Sequence, residues 1–111
     1  MGWHYLCELA DIPENSSREF VIDSRIVAIF HSSQGLHAID GMCAHQGGPI
    51  AQGQLDGQCV TCPWHGWQYD ITNGKNLLTG KQMLDCFAIE LRGDAVWIDI
   101  TRAPPATSAR R

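Results

Sequence analysis

The chain has 111 residues, a formal net charge of −4 and 44% hydrophobic residues, which suits one folded globular domain. No run of Lys and Arg supports nucleic-acid binding, no stretch approaches the roughly 20 apolar residues of a membrane span, and no secretory signal opens the chain. We therefore expect a cytoplasmic protein, whose five cysteines are ligands or buried side chains rather than disulfides.

Short β-strands separated by turns are the predicted structure for most of the chain. Apolar, β-branched and aromatic residues predict strands at 3–9, 18–22, 26–31, 36–39, 59–61, 87–91 and 95–100. The turn Asp23-Ser24 joins the second strand to the third, and Arg92-Gly93-Asp94 joins the last two as a hairpin. No segment shows a helical period over three turns.

Two glycine-rich segments interrupt this pattern, one at residues 40–57 and the other at 62–80. They predict loops, and loops on a β scaffold are where binding residues concentrate. The polar, proline-containing stretch 103–111 predicts a flexible C-terminal tail. We therefore expect a single domain at 1–102 that carries both loops.

Each glycine-rich segment contains a cysteine and a histidine close together. The pairs are Cys43-Ala44-His45 and Cys62-Pro63-Trp64-His65, with sixteen residues between them. The short spacing lets both side chains of a pair converge from one turn. Two such loops that face each other supply two thiolates and two imidazoles, which suit iron–sulfur clusters and zinc alike.

This doubled pattern, Cys-x-His followed by Cys-x-x-His, resembles the signature of Rieske iron–sulfur proteins, and the similarity covers roughly residues 3–101. Further residues at family positions are Gly47, Pro49, Gly66, Tyr69 and Asp70. The resemblance implies one Rieske-type [2Fe–2S] cluster as cofactor. Cys43 and Cys62 would hold one iron, and His45 and His65 the other.

The resemblance also implies a fold and a role. The fold is an all-β Rieske fold, an antiparallel β-sandwich with a loop-rich cluster-binding subdomain at about residues 40–80. The role is that of a soluble, monomeric ferredoxin that passes single electrons from a flavoprotein reductase to a terminal oxygenase. The chain has no G-x-G-x-x-G motif and no 2-His-1-carboxylate set, so we expect an electron-transfer component rather than an enzyme. Its acidic charge suits docking on a basic patch of a partner.

The chain departs from the high-potential members of that family near the cluster ligands. Those proteins carry one further cysteine in each loop, paired as a disulfide, where this chain has Gly48 and Trp64. They also carry a serine that donates to a cluster sulfide, where this chain has Trp67, while Tyr69 keeps the second donor position. Fewer donors lower the potential, so we expect a value near the low end of the Rieske range of roughly −150 to +300 mV.

Two other functions stay open at this point. The chain is also similar to the small subunit of assimilatory nitrite reductases, which would make it a small subunit or an accessory domain of a larger oxidoreductase. Alternatively, Cys59-Val60-Thr61-Cys62 and the ligand pairs would hold zinc in a protein-interaction module. Residues three apart on a strand point to opposite faces, so we expect Cys59 to face away from the site of Cys62.

The remaining residues that could carry chemistry have ordinary structural interpretations. The expected buried residues are Cys7, Cys59, Cys86, Trp3 and Trp97. The expected surface or hydrogen-bonded residues are His4, His31, His37, Glu8, Asp11 and Glu14. Trp64 and Trp67 flank the second ligand pair, where they either shield the cluster from water or contact a redox partner.

Overall fold

The structure, a computed structural model, describes residues 3–42, 48–64 and 66–100. This part of the chain is almost entirely β-structure, as the all-β prediction requires. Its strands are β1 (Trp3–Glu8), β2 (Ser16–Ile22), β3 (Arg25–Ser32), β4 (Gly35–Asp40), β5 (Gln54–Asp56), β6 (Cys59–Thr61), β7 (Gln68–Asp70), β8 (Cys86–Arg92) and β9 (Ala95–Asp99). Its helices are two 3-10 turns, Leu9–Asp11 and Ile50–Gln52, and neither is long enough to cross a membrane.

Antiparallel pairing organises these strands into two sheets. The larger sheet has the order β1-β9-β8-β4-β3-β2, and the smaller one the order β5-β6-β7. All three strands of the small sheet fall between β4 and β8 in the sequence, so the small sheet is an insertion into the large one. Each predicted strand exists, and its ends lie within two residues of the prediction. The limits 1–102 and the tail 103–111 stay predictions, since 101–111 lie outside the described residues.

Strand β3 is buried on both faces, which explains why its sequence is continuously apolar instead of alternating. Val27 and Ile29 contact one core, to which β1, β2, β4, β8 and β9 also contribute. Ala28 and Phe30 contact a second core, which they share with Val60 of the small sheet. Because both edge strands, β1 and β2, reach the first core, the large sheet folds over it as the two layers of the predicted sandwich.

Two strands lie within segments that the sequence predicts as loops. Gln54–Asp56 and Gln68–Asp70 pair with the two edges of β6. Three residues are too few for a readable alternation, and these segments become strands through their hydrogen bonds to β6. The loop prediction is therefore wrong at these six positions.

Three of the five residues predicted as buried are more exposed than expected. Trp3 and Trp97 are half-buried at the surface, where the guanidinium carbon of Arg92 lies 5.3 Å and 4.4 Å from their ring centroids. This stacking suits an indole that is half in water. Cys59 is also only half-buried, whereas Cys7 and Cys86 belong to the core as predicted.

Arg25 fastens both ends of the segment that contains the small sheet. Its Nη2 lies 3.3 Å from Asp40 Oδ1 and 2.8 Å from Asp85 Oδ2, at the residues where the chain leaves β4 and approaches β8. The two acidic residues are joined as well: the Asp85 N–H donates to Asp40 Oδ2 and the Asp40 N–H to the Asp85 carbonyl, both at 2.9 Å. The guanidinium also stacks on Phe87, so it links the carboxylates to the first core.

We predict that Arg25→Ala destabilises the protein by about 1–2 kcal/mol, because it removes the cation that contacts both Asp40 and Asp85; partial exposure of the pairs keeps the loss in this range. Urea unfolding of the cluster-loaded protein measures the difference. Arg18→Ala is the matched control, since the Arg18 guanidinium is exposed and stacks only on Phe20 within the described residues. Equal unfolding midpoints for the two variants would show that the contacts of Arg25 with Asp40 and Asp85 do not stabilise the protein.

Candidate metal centre

Cys62 stands at the end of β6 with its side chain in the second core, where the residue is only 1% exposed. Val60 and Cys62 are two apart and share this face, so the strand itself directs the thiol inward. The Cys62 N–H donates to the Trp67 carbonyl at 2.7 Å, which closes the loop that contains the second ligand pair. Inside that loop the Trp64 N–H donates to Cys62 Sγ at 3.4 Å. Such a bond stabilises a thiolate more than a thiol.

The first glycine-rich segment comes up against this sulfur at Gly48. A Cβ atom built on Gly48 would lie 2.8 Å from Cys62 Sγ and 3.0 Å from Trp64 Cγ. Only glycine allows so close an approach. The positions at which the family's high-potential members carry a disulfide are therefore face to face here, with an indole packed against a bare backbone.

Main-chain pairing joins the residues that flank each ligand pair. Met42 and Pro49 form an antiparallel bridge, and the Ile50 N–H donates to the Gly41 carbonyl at 3.0 Å. The described residues on either side of 43–47 are thereby joined, as the Cys62–Trp67 bond joins the two ends of the second loop.

The four predicted ligands are described only in part. Cys43, His45 and His65 lie outside the described residues, and Cys62 is the one whose surroundings are known. Those surroundings fit a metal-bound thiolate: the sulfur is buried, receives a backbone N–H and faces a glycine that leaves room beside it. Within residues 3–42, 48–64 and 66–100, no three His, Cys, Asp or Glu side chains form a group that could hold a metal ion.

Cys59, the first cysteine of Cys59-x-x-Cys62, has a different environment. Val60 and Cys62 belong to the core, whereas half-buried Cys59 and Thr61 alternate with them along the strand and lie on the other face. Partial burial raises the pKa of the Cys59 thiol, and the nearby carboxylates of Asp56 and Asp70 raise it further. The two cysteines are thus not arranged to bind one zinc ion together.

The aromatic residues around the second loop differ in exposure. Tyr69 is fully buried in the second core beside Cys62, and Trp67 packs partly buried against the same core. Trp64 is 48% exposed, so its indole covers Gly48 on one side and meets solvent on the other. Shielding and partner contact are therefore compatible roles for this side chain.

Two of the other histidines, His4 and His31, have the structural roles that the sequence predicts. The prediction is not confirmed for His37, whose buried Nε2 has no hydrogen-bond partner among the described residues. The Nε2 atom of His4 lies 3.5 Å from Asp23 Oδ2, and His31 Nδ1 donates to the Ile12 carbonyl at 2.7 Å. His37 is half-buried, and burial lowers its pKa. None of these three is near enough to other ligand types to form a metal group within the described part of the chain.

Comparison with known proteins places this geometry in a family. The family model for the Rieske [2Fe-2S] domain matches residues 2–88. This match confirms the resemblance noted in the sequence and, with it, the predicted cofactor, one Rieske-type [2Fe–2S] cluster. The ligands themselves stay a prediction.

The curated relatives differ widely in length. The oxygenase component of 3-ketosteroid-9-alpha-monooxygenase from Rhodococcus rhodochrous is 32% identical over 79 residues, which are 70% of this chain but 20% of that protein. The chain thus spans about a fifth of such oxygenase components. The ferredoxin component of the naphthalene 1,2-dioxygenase system from Pseudomonas aeruginosa is 24% identical over 89% of this chain and 96% of its own length.

Solved structures agree on the fold. The ferredoxin of carbazole 1,9a-dioxygenase from Nocardioides aromaticivorans has a TM-score of 0.83 at 16% identity, covering 89% of this chain and 98% of its own. A chain in a complex of reduced oxygenase and oxidized ferredoxin in carbazole 1,9a-dioxygenase has a TM-score of 0.81 at 21% identity, covering 88% and 93%. A protein assigned as the NADH-dependent nitrite reductase small subunit of Mycobacterium tuberculosis has a TM-score of 0.79 at 14% identity. The match covers 86% of this chain and 92% of that protein. These likenesses confirm the predicted Rieske fold.

We predict that Gly48→Ala loses most of its iron on purification, because the new methyl group would overlap the Cys62 sulfur and the Trp64 ring. Iron and acid-labile sulfide analysis measures the loss. Gly35→Ala is the control: Gly35 has φ of 121°, so alanine is strained there, but its Cβ meets nothing within 4 Å. If both variants keep equal iron, the close packing at Gly48 is unimportant for the cluster.

We predict that Cys62→Ser abolishes the visible absorption of the cluster, whereas Cys59→Ser retains it, because the two side chains lie on opposite faces of β6. Metal analysis of both purified variants accompanies the spectra. Loss of metal in Cys59→Ser with an intact fold would support the alternative in which both cysteines bind one zinc ion.

Proposed function

The chain belongs to the Rieske [2Fe–2S] domain family, and from this premise we propose that it is a one-electron carrier whose cluster is held by Cys43, His45, Cys62 and His65. The observation that carries the proposal is the environment of Cys62. Its thiol is buried at one end of the second ligand loop, accepts a backbone N–H and faces Gly48 from the other ligand loop. The backbone N–H stabilises the thiolate form that a metal ligand requires, and the glycine keeps a side chain away from the sulfur.

The bound cluster supplies reversible one-electron chemistry, and the chain sets the conditions for it. The Trp64 N–H stabilises negative charge on the Cys62 sulfur, which favours the reduced state. Burial of that sulfur excludes water. Main-chain bonds join the described residues that flank each ligand pair, which favours little reorganisation when the charge changes.

As partners we propose a flavoprotein reductase that delivers the electron and a terminal oxygenase that receives it. Support comes from relatives of similar length that are named ferredoxin components of a dioxygenase system, and from the similar chain in a complex of oxygenase and ferredoxin. In this proposal the protein acts as a monomeric carrier and does not turn over substrate itself.

A second candidate is a subunit of a larger oxidoreductase, because a nitrite reductase small subunit shares the fold over 92% of its length. The four ligand-type residues in this chain favour the carrier. Purification at native expression level separates the two. A carrier elutes alone, and a subunit elutes in a stable complex with a larger redox enzyme.

We predict that the protein, purified without oxygen, is red-brown and that dithionite reduction produces a rhombic EPR signal whose average g lies below that of all-cysteine [2Fe–2S] clusters. Mixed ligation by histidine and cysteine causes this lowering. Redox titration should give a potential near the low end of the Rieske range of roughly −150 to +300 mV. A colourless protein with stoichiometric zinc, unchanged by anaerobic cluster reconstitution, would refute the carrier and favour the protein-interaction module.

A further inference from the structure

We propose that Leu77 and Leu78, flanked by Lys75 and Lys81, form the contact that seats the redox partner, and that the matching surface is an apolar pocket rimmed by carboxylates. This inference rests on the proposed electron-carrier function and names the chemistry of the partner at the same site. We call these four residues the leucine turn.

The leucine turn exposes apolar surface in a fixed conformation. Leu78 is 90% exposed and Leu77 is 48% exposed. Isolated exposed leucines are common on protein surfaces and need no special explanation. The feature that singles out these two is the rigidity of the backbone beneath them.

A buried asparagine holds this backbone in place. Asn76 is 2% exposed, and its Oδ1 accepts the N–H groups of Leu78 at 2.9 Å and Thr79 at 3.1 Å. Its own N–H donates to the Lys81 carbonyl at 2.9 Å, and the Leu77 N–H donates to the Gln68 carbonyl of the small sheet at 2.9 Å. Because the turn is ordered before binding, an anchor on it loses little conformational entropy when a partner covers it.

The leucine turn lies directly beside the second ligand loop. A cleft of about 270 Å³ is lined by Gly66, Trp67, Gln68, Asn76 and Leu78. Gly66 follows the predicted ligand His65 in the sequence. A partner that takes Leu78 into a pocket therefore also covers the loop through which the electron leaves, which is the arrangement that fast transfer requires.

The charges of the chain are segregated between its two parts. Ten of the twelve Asp and Glu residues lie in 3–40 and 85–100, and segment 41–84 contains only Asp56 and Asp70. Lys75 and Lys81 are exposed, and neither has an ion-pair partner among the described residues. Segment 41–84 is therefore formally neutral within an acidic chain, since Lys75 and Lys81 balance Asp56 and Asp70. The charges that flank Leu77 and Leu78 in the sequence are both lysines, which favours carboxylates on the partner.

A protein fits this surface better than a membrane does. One or two apolar anchors in a pocket supply much of the binding energy of a protein interface. A stable membrane anchor needs more apolar surface than two leucines offer, and two basic residues add little attraction to an anionic surface.

The test measures oxidation of the dithionite-reduced holoprotein by two acceptors in a stopped-flow instrument. Plant plastocyanin presents an apolar face near its copper together with carboxylates, whereas cytochrome c surrounds its haem edge with lysines. The test variants are Leu78→Ser and the double variant Lys75→Glu/Lys81→Glu. The matched controls, Leu91→Ser and Arg18→Glu, change an exposed leucine and an exposed arginine on the large sheet.

We expect both test variants to react with plastocyanin more slowly than wild type by on the order of tenfold, while the controls match wild type. The double lysine variant should also react faster with cytochrome c, since its positive surface has become negative. EPR spectra of all variants must match that of wild type, so that a change in rate reports docking rather than damage to the cluster.

Three results would overturn the proposal. If the test variants react like the controls with both acceptors, the docking surface is elsewhere, while an intact EPR signal and reversible reduction leave the carrier function standing. If the wild-type protein holds no reducible cluster, the carrier function and this inference fail together. If wild type but not Leu78→Ser co-sediments with vesicles of phosphatidylserine and phosphatidylcholine, the leucine turn is a membrane contact.

Discussion

The approach of Gly48 to the Cys62 sulfur is the contact on which the rest of the site depends. It joins two loops that are far apart in sequence and places backbone where a side chain would block the sulfur. A disulfide between the loops would fix this distance covalently. Here packing of the Trp64 indole on Gly48 and the main-chain bonds between the residues that flank each ligand pair must fix it instead. Non-covalent closure is adequate only if the small sheet beneath the loops is itself immobile.

The large sheet provides that immobility through β3. Because Val27 to Phe30 are wholly buried and contact both cores, the small sheet packs on the same strand that organises the sandwich. Arg25, at the start of β3, then binds the two residues through which the chain enters and leaves the insertion. A single strand therefore connects the small sheet to the sandwich in two ways. The side chains of Val27 to Phe30 pack against both cores, and Arg25 at the start of the strand forms ion pairs with Asp40 and Asp85.

Much of this architecture could be predicted from the sequence because its signals are local. The β2–β3 turn is an example: Asp23 and Ser24 both adopt positive φ, as expected for a two-residue hairpin turn. The ligand spacing likewise predicted the family. The strands β5 and β7 could not be predicted, since their structure comes from pairing with β6. Nor could the contact between Gly48 and Cys62, because a glycine carries no sign of what lies opposite it.

The uneven distribution of the acidic residues along the chain changes how the net charge should be interpreted. A value of −4 for the whole chain suggests a basic partner, yet charges separated by more than a Debye length of about 10 Å act on a docked partner only weakly. At contact, Lys75 and Lys81 decide the sign of the interaction. At longer range the carboxylates of the large sheet repel an acidic partner. Together the two effects turn the ligand loops, rather than the sandwich, toward it.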